Sequence, residues 1–440
     1  MCGAISFSLL RGLVIMRINK KSILCYVFLY FTAVSLILLY LSRMHLFGLH
    51  WIYWVFVAYG FVVTPFLIFY FSVAFLYKPT PDRGYRPSVS VIVPVYNEEH
   101  AIGNTIDSIL NSDYPLDKFE LVVVDDKSKD KTLEVINSKR LEHNFKVVTL
   151  DKNMGKRFAM AEGFKHCSGE IFVFVDSDTI LKPDTIRLLV QPFTDEKVYA
   201  VAGNGVVGNE SDKNVNTLLV RFQKLWYAES FRLRKGTESM FDIVTCCSGV
   251  LAAYRKEKVD LVVADWVNDR FFGCAFESSD DRQMTNLMLR LGGKSVFQST
   301  AKAYTIAPHN LKKFINQQVR WGRGYFRGEV FAAKFFYKRS LKQRAYFYLN
   351  MFISILSPFA LLGAAAGLLL MGNFSAFIIY ILDILLVSTL LGVAAKLLVD
   401  YFSFKDILYR VGLSAMSILV SIAYVYGWFT LWKGSNWGTR

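Results

Sequence analysis

Charged residues are absent from several long stretches of this 440-residue chain. Hydrophobic residues make up 53% of the sequence and charged residues 20%, which excludes a chain built as one ordinary soluble domain. A helix needs about 20 apolar residues to cross a bilayer. The charge-poor stretches therefore predict five membrane spans, over residues 22–42, 51–77, 345–371, 374–396 and 409–432.

Patterns of several other protein classes are also missing. The six cysteines show neither the C-x-x-C spacing of zinc sites nor a disulfide framework, as is typical of a reducing cytosol. No nucleic-acid-binding motif accompanies the net charge of +15, so we expect no nucleic-acid partner. The positive excess fits cytoplasmic loops and attraction to anionic membrane lipid, or alternatively a polyanionic ligand. No cleavage site follows the first apolar run, so we expect no cleavable signal peptide.

Basic residues flank the first two predicted spans and set their orientation. They are Arg17, Lys20 and Lys21 before the first span, and Lys78, Arg83 and Arg86 after the second. Because positive residues mark the cytoplasmic side, we expect a multi-pass cell-membrane protein with a cytoplasmic middle region. The count of C-terminal spans stays open, since three would place Lys433 and Arg440 outside. Asp383, within a predicted span, is expected to face a polar interior.

From Ser88 onward, short apolar runs alternate with amphipathic stretches. The runs VSVIVPVYN, FELVVVDD, KVVTL and IFVFVDSD are typical of strands, and TLEVINSKRL and FAMAEGFKH are typical of helices. This alternation predicts an α/β domain with a mostly parallel sheet covered on both faces. Ligands of such sheets bind beyond the carboxyl ends of the strands.

Polar and acidic residues follow three of these predicted strands. The three strand ends are Pro94-Val95-Tyr96-Asn97-Glu98, Asp125-Asp126 and Asp176-Ser177-Asp178. A single acid of this kind often only caps the next helix, whereas three at one sheet edge indicate a site. In Asp-x-Asp, both carboxylates point to the same side of an extended chain. Such oxygen ligands suit Mg²⁺ or Mn²⁺, usually shared with phosphate oxygens.

A basic turn precedes one predicted helix. Gly155, Lys156 and Arg157 at a helix N-terminus would favour a phosphate through the helix dipole and the cations. The spacing of a P-loop is missing, and an ordinary basic turn is the alternative interpretation.

Seven motifs follow one another along the chain: VSVIVPVYNEE, VVVDDKS, NMGKR, VDSDT, CCSGVLAAYR, SSDDRQMTN and QQVRW. In kind and order they resemble the motifs of processive family 2 glycosyltransferases. Over roughly Pro87 to Gly328, with the flanking spans and the terminal NWGTR, the chain resembles membrane-embedded hyaluronan synthases. The rhizobial chitooligosaccharide synthases are close relatives of that group. The resemblance implies a GT-A catalytic domain, UDP-sugar substrates, Mg²⁺ or Mn²⁺, and a growing polysaccharide secreted through the protein's own channel.

The resemblance also assigns roles on the nucleotide side. It places Asp126 at the uracil and Lys156 at the nucleotide, with Asp178 as the metal ligand and Asp176 as its acidic partner. We expect the first strand end to contact the nucleotide sugar as well, through Pro94, Tyr96 and Glu98.

On the acceptor side, the resemblance makes Asp281 the catalytic base, preceded by Asp280. Alternatively, Asp281 only caps the following helix, and either Asp280 is the catalytic residue or neither of the two is. The Q-x-x-R-W residues would clamp the diphosphate and the acceptor end at the membrane surface, and they are Gln317, Arg320 and Trp321. An interfacial helix with snorkelling cations is the other interpretation of this stretch. The acceptor pocket would include Trp321, Cys246, Cys247 and Ser248, although buried cysteines are more often inert.

Two departures leave the product of the enzyme open. Ser279 stands where hyaluronan synthases generally have glycine, and Val250 stands where they tend to have proline. SDDR also resembles a bacterial synthase of a glucose–glucuronate capsule. A chitooligosaccharide, another capsule polysaccharide and a lipid-linked sugar made by a non-processive transferase are the alternatives to hyaluronan. The acidic strand ends argue against a transporter that catalyses no reaction.

The predicted domain order has four parts. Residues 1–86 would carry two transmembrane helices, 87–307 the GT-A domain, 308–344 the interfacial amphipathic helices with Q-x-x-R-W, and 345–440 about three spans. Residues 216–236 are predicted to form either a second interfacial helix or a packed cytosolic helix.

Overall fold

The computed structural model describes residues 51–209, 217–271, 273–275, 279–370, ten positions between 372 and 386, and 404–432. The predicted span 22–42, most of the span 374–396, Asp383 and the terminal NWGTR lie outside the described residues.

Ten strands and thirteen helices are defined in the described ranges. The strands are β1 Val89–Val95, β2 Phe119–Asp125, β3 Lys146–Thr149, β4 Ile171–Phe174, β5 Ile180–Leu181, β6 Val198–Val207, β7 Ala252–Arg255, β8 Arg270–Phe271, β9 Cys274–Ala275 and β10 Lys294–Thr305. The α-helices are α1 Trp51–Leu76, α2 Ile102–Leu110, α3 Thr132–Glu142, α4 Lys156–Lys165, α5 Thr185–Leu189, α6 Leu218–Glu229, α7 Gly236–Met240, α8 Lys256–Asp260, α9 Val263–Val267, α10 Asp280–Arg290, α11 Leu311–Phe336, α12 Leu341–Leu370 and α13 Phe404–Trp428. A π-helical segment, Ser230–Lys235, joins α6 to α7.

Eight of the strands form one sheet in the order β3-β2-β1-β4-β7-β6-β10-β5. The pairs β3–β2, β2–β1, β1–β4 and β6–β10 are parallel, which confirms the expected mostly parallel sheet. Strand β7 is antiparallel to both of its neighbours, β4 and β6. Because β7 runs in the opposite direction, its first residue lies beside the last residue of β4, Ala252 against Phe174. The loop before β7 therefore reaches the sheet edge where the parallel strands end.

Apolar side chains cover both faces of this sheet. On one face, Ile102, Ile106 and Ile109 of α2 are fully buried against the strands, at the 3–4-residue spacing of an amphipathic helix. On the other face, Phe164 of α4 stacks on Phe172 of β4 with ring centroids 5.0 Å apart, and Trp266 packs beside it. The sheet is therefore a rigid base for the loops at its carboxyl edge.

One helix in the described part of the chain, Leu341–Leu370, is long and apolar enough to cross a membrane. Shorter apolar stretches end α1 and α13, at Pro65–Leu76 and Met416–Trp428. The helix of the predicted span 345–371 begins four residues before that span. Where the sequence suggested several interfacial helices in 308–344, the structure has one 26-residue helix, Leu311–Phe336, followed by the start of α12. The other spans stay predictions.

Candidate active site

A cavity of about 490 Å³ lies at the carboxyl edge of the sheet. Thirteen of the predicted site residues line it: Pro94, Tyr96, Glu98, Lys156, Asp176, Cys246, Cys247, Ser248, Asp280, Asp281, Gln317, Arg320 and Trp321. The remaining two, Asp126 and Asp178, are buried and do not line the cavity. The structure thus gathers strand ends, the loop before β7, α10 and α11 around one space.

The end of β2 holds the basic turn that precedes α4. The buried carboxylate of Asp126 accepts hydrogen bonds from the amides of Met154, over 2.7 Å, and Gly155, over 2.8 Å. Burial raises the pKa of Asp126, and these two hydrogen bonds oppose the rise. Gly155 has a φ of +91°, which favours glycine at this position. Asp126 therefore fixes the turn whose next residue, Lys156, begins α4.

Lys156 and Asp176 form an ion pair on the cavity wall. Gly249 lies directly against this pair, since a Cβ at Gly249 would be 3.0 Å from both Lys156 Nζ and Asp176 Oδ1. A side chain at this position would push the ion pair aside. Glycine here lets the loop before β7 approach the end of β4 without crowding the ion pair.

The acidic pair after β4 fits a divalent ion by its donor chemistry. Asp176 lines the cavity and Asp178 is 3% exposed two residues further on. No group of three or more His, Cys, Asp and Glu side chains suited to a metal occurs among the residues that the structure describes. Mg²⁺ is commonly bound by only one or two carboxylates, with substrate phosphates and water completing the shell. Two carboxylates beside a basic turn are consistent with that type of site.

Arg157 does not contribute to the phosphate site that the sequence suggested. Its side chain is 4% exposed, and its Nε donates to Asp280 Oδ1 over 2.7 Å. Its Nη1 donates to the carbonyl of Trp266, and Trp266 Nε1 in turn donates to the carbonyl of Asp280 over 2.9 Å. Burial raises the pKa of Asp280, and the guanidinium opposes this rise. Arg157 and Asp280 thus form a buried pair that ties α4 to the start of α10.

Asp281 has a different environment from its neighbour. Its Oδ2 accepts a hydrogen bond from the Gly249 amide over 3.1 Å and contacts Cys246 Sγ at 3.6 Å. Its Oδ1 accepts from the Arg282 amide over 2.8 Å. The sequence placed Asp281 just before a helix, whereas α10 already begins at Asp280 and the cap position belongs to Ser279. Asp281 is therefore in the first helical turn, where its Oδ1 satisfies one of the free amides of that turn.

The two cysteines of the predicted acceptor pocket are neutral thiols at physiological pH. Burial raises the pKa of Cys246 to about 12 and that of Cys247 to about 11. Cys247 is fully buried, and its amide donates to Thr285 Oγ1 over 2.9 Å. A thiolate is the nucleophilic form of cysteine, so these residues shape the pocket and do not supply a nucleophile.

Helix α11 packs against α10 through glycines. A Cβ at Gly324 would lie 1.5 Å from Ser279 Oγ, and one at Gly328 would lie 2.3 Å from Arg282 Cδ. Asn286 Nδ2 also donates to the carbonyl of Gly328 over 3.1 Å. Close approach at these two glycines fixes the helix that carries Q-x-x-R-W against the helix that carries Asp281.

The Q-x-x-R-W side chains face the cavity from α11. The ring of Trp321 lies 6.2 Å from that of Tyr227, which gives the cavity an aromatic wall. The buried Nε of Arg320 has no hydrogen-bond partner within the described ranges. Gln317 is buried, and its Oε1 accepts from Gln318 Nε2.

A group of buried and half-buried charges beside the site was not predicted from the sequence. Arg282 Nη1 donates to Glu329 Oε1 over 3.2 Å, and Arg234 Nε donates to Glu238 Oε1 over 3.0 Å. The ring of Tyr325 lies 4.9 Å from the Arg282 guanidinium and 5.0 Å from that of Arg234. The i,i+4 spacing of Arg234 and Glu238 was the one available signal, because 47 residues separate Arg282 from Glu329.

Known proteins share both the sequence and the fold of this chain. Residues 90–262 match the model of the glycosyl transferase family 2. Hyaluronan synthase of Streptococcus pyogenes is 31% identical over 326 residues, which are 72% of this chain and 74% of that protein. An N-acetylglucosaminyltransferase of Mesorhizobium japonicum is 33% identical over 249 residues, 56% of this chain and 58% of that protein.

A solved structure supports the fold assignment. The mannosyltransferase PcManGT from Pyrobaculum calidifontis, in complex with GDP-Man and Mn²⁺, superposes with a TM-score of 0.54 at 22% identity. The superposition covers 79% of this chain and 99% of that one. The sheet domain therefore has the GT-A fold, as the sequence predicted. With this fold, the family match and the relative that spans most of the chain, the protein is a glycosyltransferase and belongs to glycosyl transferase family 2.

Proposed function

We propose that this enzyme is a processive, inverting glycosyltransferase that polymerises UDP-activated sugars into a β-linked polysaccharide. The polymer is hyaluronan, made from UDP-N-acetylglucosamine and UDP-glucuronate at the cytoplasmic face of the cell membrane and secreted through the protein's own channel. One observation supports the proposal most directly. The cavity that contains Lys156, Asp176 and Asp281 is also lined by Arg320 and Trp321 of the amphipathic helix α11 and by Val420 and Tyr424 of the apolar helix α13.

In the proposed reaction, Asp281 is the general base for the acceptor hydroxyl. The hydroxyl attacks the anomeric carbon of the donor sugar while UDP leaves, and its proton passes to the carboxylate of Asp281. The Gly249 and Arg282 amides hold this carboxylate in one orientation. We assign this role to Asp281 and not to Asp280, because the buried Arg157 guanidinium donates to the carboxylate of Asp280. A single displacement of this kind inverts the anomeric centre and yields β-linkages.

The leaving diphosphate is stabilised by the cations of the cavity in the same proposal. Lys156 and Arg320 supply positive charge, and Arg320 suits the geometry of phosphate because a guanidinium can donate two parallel hydrogen bonds. Mg²⁺ or Mn²⁺ held by Asp178 and Asp176 would neutralise further charge on the diphosphate. Trp321 offers an aromatic face on which the acceptor sugar can stack. Asp126, the Asp176 pair and the end of β1 hold the nucleotide sugar.

Product analysis of the purified full-length chain tests this function. Incubation with UDP-N-acetylglucosamine and UDP-glucuronate, each alone and both together, is followed by digestion with hyaluronidase or chitinase. We expect polymer only with both sugars and its degradation by hyaluronidase. Excess EDTA should stop synthesis, and added Mg²⁺ or Mn²⁺ should restore it. Full activity in EDTA would remove the metal from the proposal.

The similarity to the Mesorhizobium N-acetylglucosaminyltransferase supports a second candidate, a chitooligosaccharide synthase. A chitinase-sensitive product from UDP-N-acetylglucosamine alone would favour it. Transfer of one sugar to a lipid, with no polymer, would instead point to a non-processive lipid glycosyltransferase.

A further inference from the structure

The π-helical segment Ser230–Lys235 lines the active-site cavity, a position that the sequence did not suggest. Its residues Ser230, Phe231, Arg234 and Lys235 all contribute to the cavity wall. Short π-helical insertions are rare and occur frequently at functional sites, because the extra residue in the turn turns side chains towards a ligand.

Five cations line this cavity, and three of them have a carboxylate partner. Lys156 pairs with Asp176, Arg234 with Glu238 and Arg282 with Glu329. The other two, Arg320 and Lys235, have no carboxylate within 4.0 Å in the described part of the chain. The proposed reaction accounts for Arg320, which faces the diphosphate. The proposed reaction does not assign an anionic partner to Lys235.

Lys235 is a costly residue to bury without a counter-ion. Its exposed fraction is 7%, its ammonium contacts Ser248 Oγ, and it lies 4.0 Å from the ring centroid of Phe231. An ammonium has three donors, and the Ser248 hydroxyl accepts from one. Burial lowers the pKa of Lys235, and the charges of Asp281 and Glu238 oppose this shift without cancelling it. A buried charge is stabilised chiefly by an opposite charge.

The position of Lys235 relates it to the acceptor. Ser248 belongs to the predicted acceptor pocket and precedes Gly249, whose amide binds Asp281. Among the groups of a sugar chain, hydroxyls and acetamides are neutral, and the carboxylate of a uronic acid is the anionic one.

We propose that Lys235, presented by the π-helical segment, binds the carboxylate of a uronate at the acceptor end of the growing chain. This inference rests on the proposed polymerase function and selects among its products. A chain of N-acetylglucosamine alone offers Lys235 no anion, whereas an alternating polymer with glucuronate offers one at every second addition.

Acceptor preference tests the proposal. The ligand pair is a short hyaluronan oligosaccharide with glucuronate at its non-reducing end and the same oligosaccharide with that carboxylate reduced to a hydroxymethyl group. Release of UDP from UDP-N-acetylglucosamine is measured against acceptor concentration. We expect the wild type to prefer the carboxylate form by about 10- to 100-fold in kcat/KM, the range of a charge-assisted hydrogen bond.

Three variants make the test specific. Lys235→Met keeps the length of the side chain without its charge and should lose the preference, because it slows use of the carboxylate form far more than use of the reduced oligosaccharide. Lys235→Arg should retain part of the preference. The exposed Lys197→Met, which removes the same charge away from the cavity, should behave as the wild type. The affinity for UDP, measured by calorimetry, should be the same in all four proteins.

Three results would overturn the inference. One is a Lys235→Met enzyme that keeps the preference, another is equal loss with both oligosaccharides, and the third is a weakened affinity for UDP, which would assign Lys235 to the diphosphate. If the wild type forms no polymer, the proposed function fails. Direct calorimetric binding of the two oligosaccharides to the wild type and Lys235→Met still decides the role of Lys235.

Discussion

The Gly249 amide and the Asp281 carboxylate are joined by a hydrogen bond of 3.1 Å. This bond connects the loop before β7 with the first turn of α10. Gly249 also lies against the Lys156–Asp176 pair, so one residue contacts the groups proposed for both the donor and the acceptor sides. The backbone of Gly249 therefore helps to set the position of Asp281 relative to the Lys156–Asp176 pair.

Replacing Asp281 by Asn separates chemistry from structure at this position. Asn keeps the shape of Asp and one acceptor oxygen, so it can accept one of the two amide hydrogen bonds, but it cannot take a proton from the acceptor. We expect polymer synthesis to fall by about 10²- to 10⁴-fold, with unchanged UDP affinity and a small loss of thermal stability. Retained synthesis, or parallel loss of UDP binding, would count against Asp281 as the base.

The adjacent change, Asp280→Asn, should act on folding instead. It removes the charge that pairs with the buried Arg157, and breaking a buried ion pair costs on the order of 3 kcal/mol. A lowered midpoint of denaturation should accompany any loss of activity. A stable but inactive Asp280→Asn protein would show that Asp280 takes part in the chemistry.

Arg320→Ala tests whether Q-x-x-R-W binds the diphosphate or anchors α11 in the membrane. We expect a loss of about 10²-fold or more in polymer synthesis and weaker UDP binding, with normal membrane insertion. Lys313→Ala is the matched control, because Lys313 is an exposed cation on the same helix. Membrane anchoring alone predicts equal, small effects of the two substitutions in flotation and activity assays.

The contact between Ser279 and Gly324 predicts a rescue. Ser279 has a φ of +64°, in the left-handed region that glycine adopts most readily. Gly324→Ala should therefore destabilise the protein, because its Cβ would lie 1.5 Å from Ser279 Oγ. The double variant with Ser279→Gly should recover most of that stability, and Ser279→Gly alone should be neutral or stabilising. Additive losses in thermal denaturation would show that the two residues are not in contact.

Glu120 should make the free energy of unfolding depend on pH. Its partly buried carboxylate accepts hydrogen bonds from Lys146 Nζ, Ser90 and Ser168, and these lower its pKa from 4.5 to about 2 although burial opposes them. Between these two pH values the unfolded chain binds the proton more tightly, so stability falls as the pH drops through this window. Glu120→Gln should destabilise the protein at pH 7 and progressively less below about pH 5. An equal loss of stability at pH 7 and at about pH 3 would contradict this assignment.

The sequence predicts the parts of the fold that local patterns encode. Buried runs such as VSVIVPV give the parallel strands, and the acids that follow them lie at one edge because parallel strands end together. Strand β7 was not predicted to be antiparallel, since its direction depends on which neighbours it pairs with. The partner of Arg157 was not predicted either. The sequence predicted Arg157 beside a phosphate because it stands at a helix start, whereas its actual partner, Asp280, is 123 residues away in the chain.

The π-helical segment shows a second limit of prediction from sequence. In the sequence, RLRK looks like a charged face of an amphipathic helix, and cations on such a face are ordinarily solvated. Lys235 is buried beside Ser248 of the loop before β7, and the half-buried Arg234 lies against the ring of Tyr325 of α11, so the surroundings of both depend on distant parts of the chain. A sequence pattern typical of a solvated helix face thus forms part of a cavity wall because of tertiary packing.

The hydrogen bonds that Asp126 accepts from the amides of Met154 and Gly155 should affect the kinetics of nucleotide binding. A phosphate-binding loop that orders only around its ligand loses conformational entropy at each encounter, which weakens affinity. Here hydrogen bonds within the chain, from the loop to Asp126 at the end of β2, hold the loop in place. The association rate should therefore approach the rate of diffusional encounter between nucleotide and cavity. Removing these hydrogen bonds should lower the association rate more than it raises the dissociation rate.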